Sequence, residues 1–190
     1  DKWNGFKERP KNMNLPENMK TIFAVDCSGS ISGCHNYFNK LRELRQKYYN
    51  SSRGDKFYTW GSGYYYKTEA EMDSFIANES GPDGTSSYYI AEIGRETKYE
   101  NFEHLIIVTD GCVGTGDIDE SDRRVQQYGL QYSYVSTYII GSGGNESVGC
   151  PFSRGCKGVT FFIDNYSHEK SQAFLSREDQ QALDHINSIM

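Results

Sequence analysis

Apolar residues along this chain fall into two rhythms. Short continuous runs occupy residues 21–25, 105–108, 135–140 and 159–163. Each is too short for a typical helix, so each reads as a strand, and the runs at 21–25 and 105–108 read as buried parallel strands. Between these runs the apolar positions recur at helical spacing. Over residues 34–49 they are Cys34, Tyr37, Phe38, Leu41, Leu44 and Tyr48, with Lys40, Arg42, Glu43 and Lys47 off the stripe. The breaker run 50–54 ends that helix.

Further along, Lys56–Trp60 reads as a second strand, and 64–66 as a short edge strand after the Gly61-Ser62-Gly63 turn. Helical patterns over Glu69–Asn78 and 87–99 flank a loop of turn formers at 79–86, with Gly94 weakening the second helix. His104–Thr109 is a strongly apolar strand ending at Asp110-Gly111, and a Gly-rich loop runs from there to Gly116. Residues 117–128 form a polar helix with acidic residues in its first turn, as the helix dipole favours. A strand over 132–140 closes on Gly141-Ser142-Gly143-Gly144, and 159–164 supplies the last strand. Ser176 can cap a final helix to Met190, with Asp179 at the capping-box position and Ala182, Leu183, Ile186 and Met190 facing inward. Strands alternating with helices predict an α/β, doubly wound domain with a mostly parallel central sheet flanked by helices. Residues 20–190 form that domain. Residues 1–19, with two prolines and four asparagines, read as a linker or lead-in segment.

Composition narrows the function. The 190 residues suit one domain with a full core. Net charge is −6, which argues against nucleic acid as the main partner. No apolar run approaches the roughly 20 residues of a membrane helix, so direct membrane insertion is not expected. The chain opens at Asp1, as an excised fragment would, so the lack of a visible leader says little.

Of the five cysteines, Cys150 and Cys156 flank a five-residue loop and make a plausible small disulfide. Cys27, Cys34 and Cys112 read as small buried hydrophobes. Two of these thiols adjoin the candidate site, which leans towards an intracellular setting, with an extracellular one left open. Sequons stand at Asn50, Asn78, Asn145 and Asn165.

The candidate chemistry lies at strand ends. The first strand stops at Asp26-Cys27-Ser28-Gly29-Ser30, the loop 81–86 carries Thr85, and the central apolar strand stops at Thr109-Asp110-Gly111. In an open α/β sheet, ligands bind beyond the carboxyl ends of the strands. Asp26, Ser28, Ser30, Thr85 and Asp110 would bring two carboxylates and three hydroxyls to that edge. Such hard oxygens suit Mg²⁺, which keeps near-octahedral oxygen coordination including waters. Asp83, Asp117, Asp119 and Glu120 would add a negative field.

These residues resemble the metal-ion-dependent adhesion site (MIDAS) of the von Willebrand factor A-type (vWA) domain, a Rossmann-like fold also found in integrin I domains. The resemblance rests on D-x-S-x-S after one strand, a later Thr in a Gly-containing loop, and T-D-G after another strand. The intervals are 59 residues from Asp26 to Thr85 and 25 from Thr85 to Asp110. It implies that Ser28, Ser30 and Thr85 face Mg²⁺ (or Mn²⁺ or Ca²⁺), with Asp26 and Asp110 holding it directly or through water. It also implies that a protein partner completes the coordination with an Asp or Glu carboxylate. Adhesion or assembly within a larger chain or complex is the expected role, without catalysis. The tyrosines at 64, 65, 66 and 88 read as cover for the sheet edge, with a recognition surface as the alternative.

A second reading comes from Gly29-Ser30-Ile31-Ser32-Gly33, a G-x-S-x-G match. It would make the chain a serine hydrolase, with Ser32 as nucleophile, Asp110 or Asp164 as the acid and His168 or His185 as the base. Only one strand precedes the motif, however, and no HGGG-like segment supplies an oxyanion hole. His35, His104, His168 and His185 are expected to be structural or solvent-facing. A D-x-D phosphatase is disfavoured by Ser28, and nucleotide binding at 141–144 by the missing G-x-G-x-x-G spacing.

Overall fold

The structure, a computed structural model, describes residues 17–141 and 144–163. The expected helix over 176–190, residues 1–16 of the lead-in segment, and Asp164, Asn165, His168 and His185 lie outside the described residues.

Six strands form one sheet: β1 (Thr21–Asp26), β2 (Lys56–Trp60), β3 (Tyr64–Lys67), β4 (His104–Thr109), β5 (Tyr134–Ile140) and β6 (Lys157–Ile163). Their spatial order is β3-β2-β1-β4-β5-β6. All neighbours pair in parallel except the edge strand β3, which returns antiparallel to β2 after a tight turn. The helices are α1 (His35–Tyr48), α2 (Glu69–Asn78), α3 (Tyr89–Glu96) and α4 (Thr115–Tyr128).

The continuous apolar runs are explained by what covers each face. Successive strand side chains point to opposite sides of the sheet. Phe23 and Val25 of β1, with Ile106 and Val108 of β4, pack under α1 and α2 through Tyr37, Phe38, Leu41, Leu44, Met72 and Ile76. Ile22, Ala24, Leu105 and Ile107 pack under α3 and α4 through Ile90, Ile93, Ile118 and Val125. Both faces are dry, so β1 and β4 carry no polar alternation.

Several boundaries differ from the sequence expectation, and one difference has a clear cause. The third helix stops at Glu96, where Thr97 turns its hydroxyl back to the Ile93 carbonyl at 2.8 Å, and a separate 3-10 turn (Lys98–Glu100) follows. The helix runs through Gly94 without a break. Gly94 lets α3 approach its neighbours, since a Cβ there would stand 2.6 Å from Leu130 Cδ1 and 2.8 Å from Tyr132 Oη. The helix α4 starts at Thr115, two residues early, and β5 starts at Tyr134, two residues late.

The cysteines depart from expectation as well. Only Cys27 of the three near the site is buried; Cys34 and Cys112 are exposed. Cys34 sits at the cap position before α1, where the helical stripe has not yet begun. Among the described residues no disulfide forms, so Cys150 and Cys156 are not bridged. Cys150 opens a 3-10 turn (Cys150–Ser153), and the Cys156 thiol faces the Phe152 and Lys157 carbonyls instead. The tyrosines divide too. Tyr64 stacks towards Tyr89 and Tyr88 lies under the Arg124 guanidinium, whereas Tyr65 and Tyr66 are exposed on β3.

Two predictions follow from this packing. Ile107→Ala opens a cavity in the centre of the sheet and should cost about 2–5 kcal/mol in chemical denaturation. A loss below about 1 kcal/mol would contradict the dry, close-packed face described above. The second concerns His104, which is fully buried with Nε2 2.7 Å from Ser136 Oγ. Burial, then the charge of Arg53, pushes its pKa from 6.5 down to about 4. Its contribution to stability is therefore complete above pH 6.5 and is lost as pH falls from there to about 4. Asp26, raised from 3.8 to about 6, acts in the opposite sense over part of that window. The His104 contribution is therefore read as the difference between wild type and His104→Gln across a pH series. That difference should shrink as the solution is acidified, and a pH-independent difference would refute the assignment.

Candidate metal centre

The strand order fixes where a site can form. The chain leaves β1 towards β2 on one side, while β4 lies on the other, so the crevice beyond β1 and β4 is the topological switch point of the sheet. Asp26 ends β1, and Asp110 directly follows β4. Tyr37 of α1 ties the two strand ends together, its hydroxyl lying 2.7 Å from the Asp26 carbonyl and 3.2 Å from that of Val108.

The turn after β1 is shaped by Asp26 itself. Its Oδ1 accepts the Ser28 backbone N–H at 2.7 Å, and its Oδ2 accepts the Thr109 hydroxyl at 2.8 Å. An Asp side chain that bonds the backbone two residues on builds a turn locally. A 3-10 turn (Gly29–Ile31) then presents Ser30 outward. Ser28 Oγ and Ser30 Oγ are 2.9 Å apart, and Ser30 Oγ donates to Asp110 Oδ2 in a short hydrogen bond. The other Asp110 oxygen accepts the Cys112 N–H at 3.0 Å. Asp26, Ser28, Ser30 and Asp110 thus form one connected oxygen cluster.

The third loop reaches the same edge through its backbone. It hydrogen-bonds like an extra strand, with Asp83 N–H donating to the Cys27 carbonyl at 3.1 Å and Gly29 N–H to the Asp83 carbonyl at 2.8 Å. Gly81 permits this approach, since a Cβ there would stand 2.0 Å from the Ser28 carbonyl oxygen. Thr85 lies two residues beyond the Ser28–Asp83 bridge and is half-buried. Among the described residues its hydroxyl makes no hydrogen bond to the serines or aspartates. The structure therefore unites four of the five expected residues by direct contact and carries Thr85 in on a neighbouring loop.

Electrostatics favour a cation here. Burial, with the Asp110 charge adding to it, raises Asp26 from 3.8 to about 6 against the lowering effect of its Ser28 and Thr109 hydrogen bonds. A divalent ion would offset the repulsion between these two carboxylates. The buried Asp83 Oδ2 has no hydrogen-bond partner. Burial raises Asp117. Glu120 contributes less to the field than expected, because Arg123 and Arg124 both pair with it and hold it down at about 2. Among the described residues no three His, Cys, Asp or Glu side chains group as a metal cage. The donor set is instead two carboxylates with neutral hydroxyls, which fits a hard, oxygen-loving ion such as Mg²⁺ or Mn²⁺ and not zinc.

The remaining candidates have other work. Ser32 Oγ accepts the Gly81 N–H at 2.8 Å and donates to the Gly81 carbonyl at 3.0 Å, so it staples the loop rather than standing ready as a nucleophile. His35 pairs with Glu79 on the surface. Burial raises the Cys27 thiol to about 11, and it points at the Trp60 carbonyl. Burial, then Asp110, raises the Cys112 thiol, with smaller additions from Asp26 and Cys34. The sequence reading missed Tyr37, Thr109 and Gly81 as organisers of the site. Thr109 was visible next to Asp110, whereas Gly81 and Tyr37 act through tertiary contacts that carry no local signature.

No protein-family model matches the sequence, and no curated protein sequence does. Solved structures do match in three dimensions. An aerotolerance-related membrane protein of Bacteroides fragilis superposes with a TM-score of 0.55 at 14% identity, covering 91% of this chain and 100% of that one. A von Willebrand factor type A protein from Catenulispora acidiphila gives 0.53 at 11% identity over 89% of this chain and 41% of its own. The manganese-loaded TRAP protein of Plasmodium vivax gives 0.51 at 14% identity, over 86% and 74% respectively. This chain thus spans about two fifths of the Catenulispora protein. At these identities the likeness is one of fold, and the fold of this chain is that of the von Willebrand factor A-type domain.

Proposed function

We propose that residues 20–190 form a divalent-cation-dependent protein-binding module for adhesion or assembly. The ion is Mg²⁺ or Mn²⁺, held by Ser28, Ser30 and Thr85 with Asp26 and Asp110 directly or through water. A protein partner supplies an Asp or Glu carboxylate as the remaining ligand. The observation that supports this most is the hydrogen-bonded run Ser28–Ser30–Asp110, backed by Asp26, at the switch point of the sheet. The manganese carried by the structurally similar TRAP protein supports the choice of ion.

The chemistry of such a site follows from its ligands. Hydroxyls neutralise none of the charge on a cation, and two carboxylates at most balance it. An ion held this way keeps affinity for an incoming carboxylate, and the contact is charge-assisted. The chain's own residues supply position. Asp26 fixes the serine turn, Thr109 and Ser28 fix Asp26, and Ser30 orients Asp110. We assign no reaction to the site, since Ser32 is committed to Gly81.

Titration with Mn²⁺ or Mg²⁺ should raise the melting temperature, and EDTA should reverse the rise. Saturation at 100 times the dissociation constant stabilises by about 2.7 kcal/mol, or roughly 5–10 °C for a domain of this size. Ser30→Ala and Asp110→Ala should remove most of the shift while leaving a cooperative transition. Equal shifts in wild type and both variants would overturn the proposed ligands. A carboxylate-bearing partner should be retained in Mn²⁺ and released by EDTA; retention regardless of EDTA would overturn the ion's role in capture.

A further inference from the structure

The two acidic sides of the candidate site stand where strand pairing does not join them. Asp26 pairs with Trp60 of β2 and Thr109 with Ile139 of β5, but the ladder between β1 and β4 stops at Val25–Val108. A split therefore opens between Asp26 and Asp110 at the switch point of the sheet. Hydrogen bonds from Thr109 to Asp26 and from Ser30 to Asp110 cross it. Both end on carboxylate oxygens, the atoms a hard cation takes as ligands.

Tyr37 joins the two sides differently. Its hydroxyl lies 2.7 Å from the Asp26 carbonyl oxygen and 3.2 Å from that of Val108, so one donor holds the backbone on both sides of the split. No carboxylate oxygen is used. The ring itself is held firmly. It is buried, meets Phe38 edge-on with centroids 5.3 Å apart, and belongs to the cluster that packs α1 on the sheet. A side chain in a close-packed interior transmits strain and does not absorb it.

We propose that the Tyr37 hydroxyl is a positioning group: it fixes the span between Asp26 and Asp110 and so makes the site favour Mg²⁺ over Ca²⁺. This rests on the ion-binding function proposed above. Mg²⁺ needs near-octahedral oxygens at about 2.0–2.1 Å, whereas Ca²⁺ takes more of them, at about 2.3–2.6 Å and in flexible geometry. Discrimination between the two follows from the size and stiffness of the ligand cage. Thr109 and Ser30 can release their carboxylates to an ion, while Tyr37 keeps its hold on the backbone. Carboxylates tied at a fixed span do not spread to admit the larger ion.

The test compares wild type, Tyr37→Phe and Tyr48→Phe by calorimetric titration with magnesium chloride and, separately, calcium chloride, after each variant is checked for cooperative melting. Tyr48 is a buried tyrosine at the far end of α1 and controls for the loss of a phenol hydroxyl alone. Tyr37→Phe should lower the ratio of Mg²⁺ to Ca²⁺ affinity at least several-fold, and Tyr48→Phe should leave it unchanged. Equal losses for both ions, or no change for either, would overturn the proposal. Wild type that binds Ca²⁺ as tightly as Mg²⁺ would overturn it whether or not the variant folds. Amide hydrogen exchange in metal-free protein is the second readout. The Ser28 and Cys112 N–H groups, which donate to Asp26 and Asp110, should exchange faster in Tyr37→Phe than in Tyr48→Phe, and equal rates would overturn the positioning role. Wild type that binds neither ion would overturn the ion-binding function and the preference with it, while the exchange rates still decide the positioning role.

Discussion

Two acidic side chains at the ends of adjacent central strands, Asp26 and Asp110, set the terms for the rest of this molecule. Carboxylates so close, one of them wholly buried, repel each other and lose hydration. The fold answers with donors. Asp26 receives the Ser28 N–H and the Thr109 hydroxyl, and Asp110 receives the Ser30 hydroxyl and the Cys112 N–H. The donors are Thr109 at the end of β4 and residues of the two turns that follow β1 and β4. The site and the turns around it are therefore one hydrogen-bonded structure.

The sheet explains why this arrangement can be held. Packing on both faces leaves β1 and β4 no freedom to shift, and the parallel register sets Val25 beside Val108 just before the two carboxylates diverge into their loops. Tyr37 closes the arrangement from the α1 side by bonding both strand ends. The third loop enters only because Gly81 has no side chain, and Ser32 then fixes it. Rigid strands thus support short, polar loops, a division of labour in which binding groups sit on loops positioned by a stiff scaffold.

Much of this was legible in the chain. Continuous apolar runs marked β1 and β4 as buried strands, and the helical stripe from Tyr37 to Tyr48 placed α1 to within a residue at each end. Motif and order together pointed to Asp26, Ser28, Ser30 and Asp110, which the structure brings into contact. What local sequence could not express were long-range constraints. Gly94 looked like a helix weakness, but Leu130 and Tyr132 need the space a side chain would fill. Cys34 matched the apolar stripe, yet it precedes the first helical turn and faces solvent. Cys150 and Cys156 had the spacing of a disulfide, but Cys150 is drawn into the core on the α3–α4 face. Glu120 counted as free negative charge until two arginines one turn away were seen to pair with it.

The most direct measurement is a crystal structure of the protein soaked in Mn²⁺, with anomalous differences recorded at the manganese edge. The account predicts a single strong peak bonded to the Ser28 and Ser30 hydroxyls, with Thr85, Asp26 and Asp110 in the same coordination sphere or one water away. An empty difference map at that position in protein saturated with Mn²⁺, or a peak elsewhere on the surface, would contradict it.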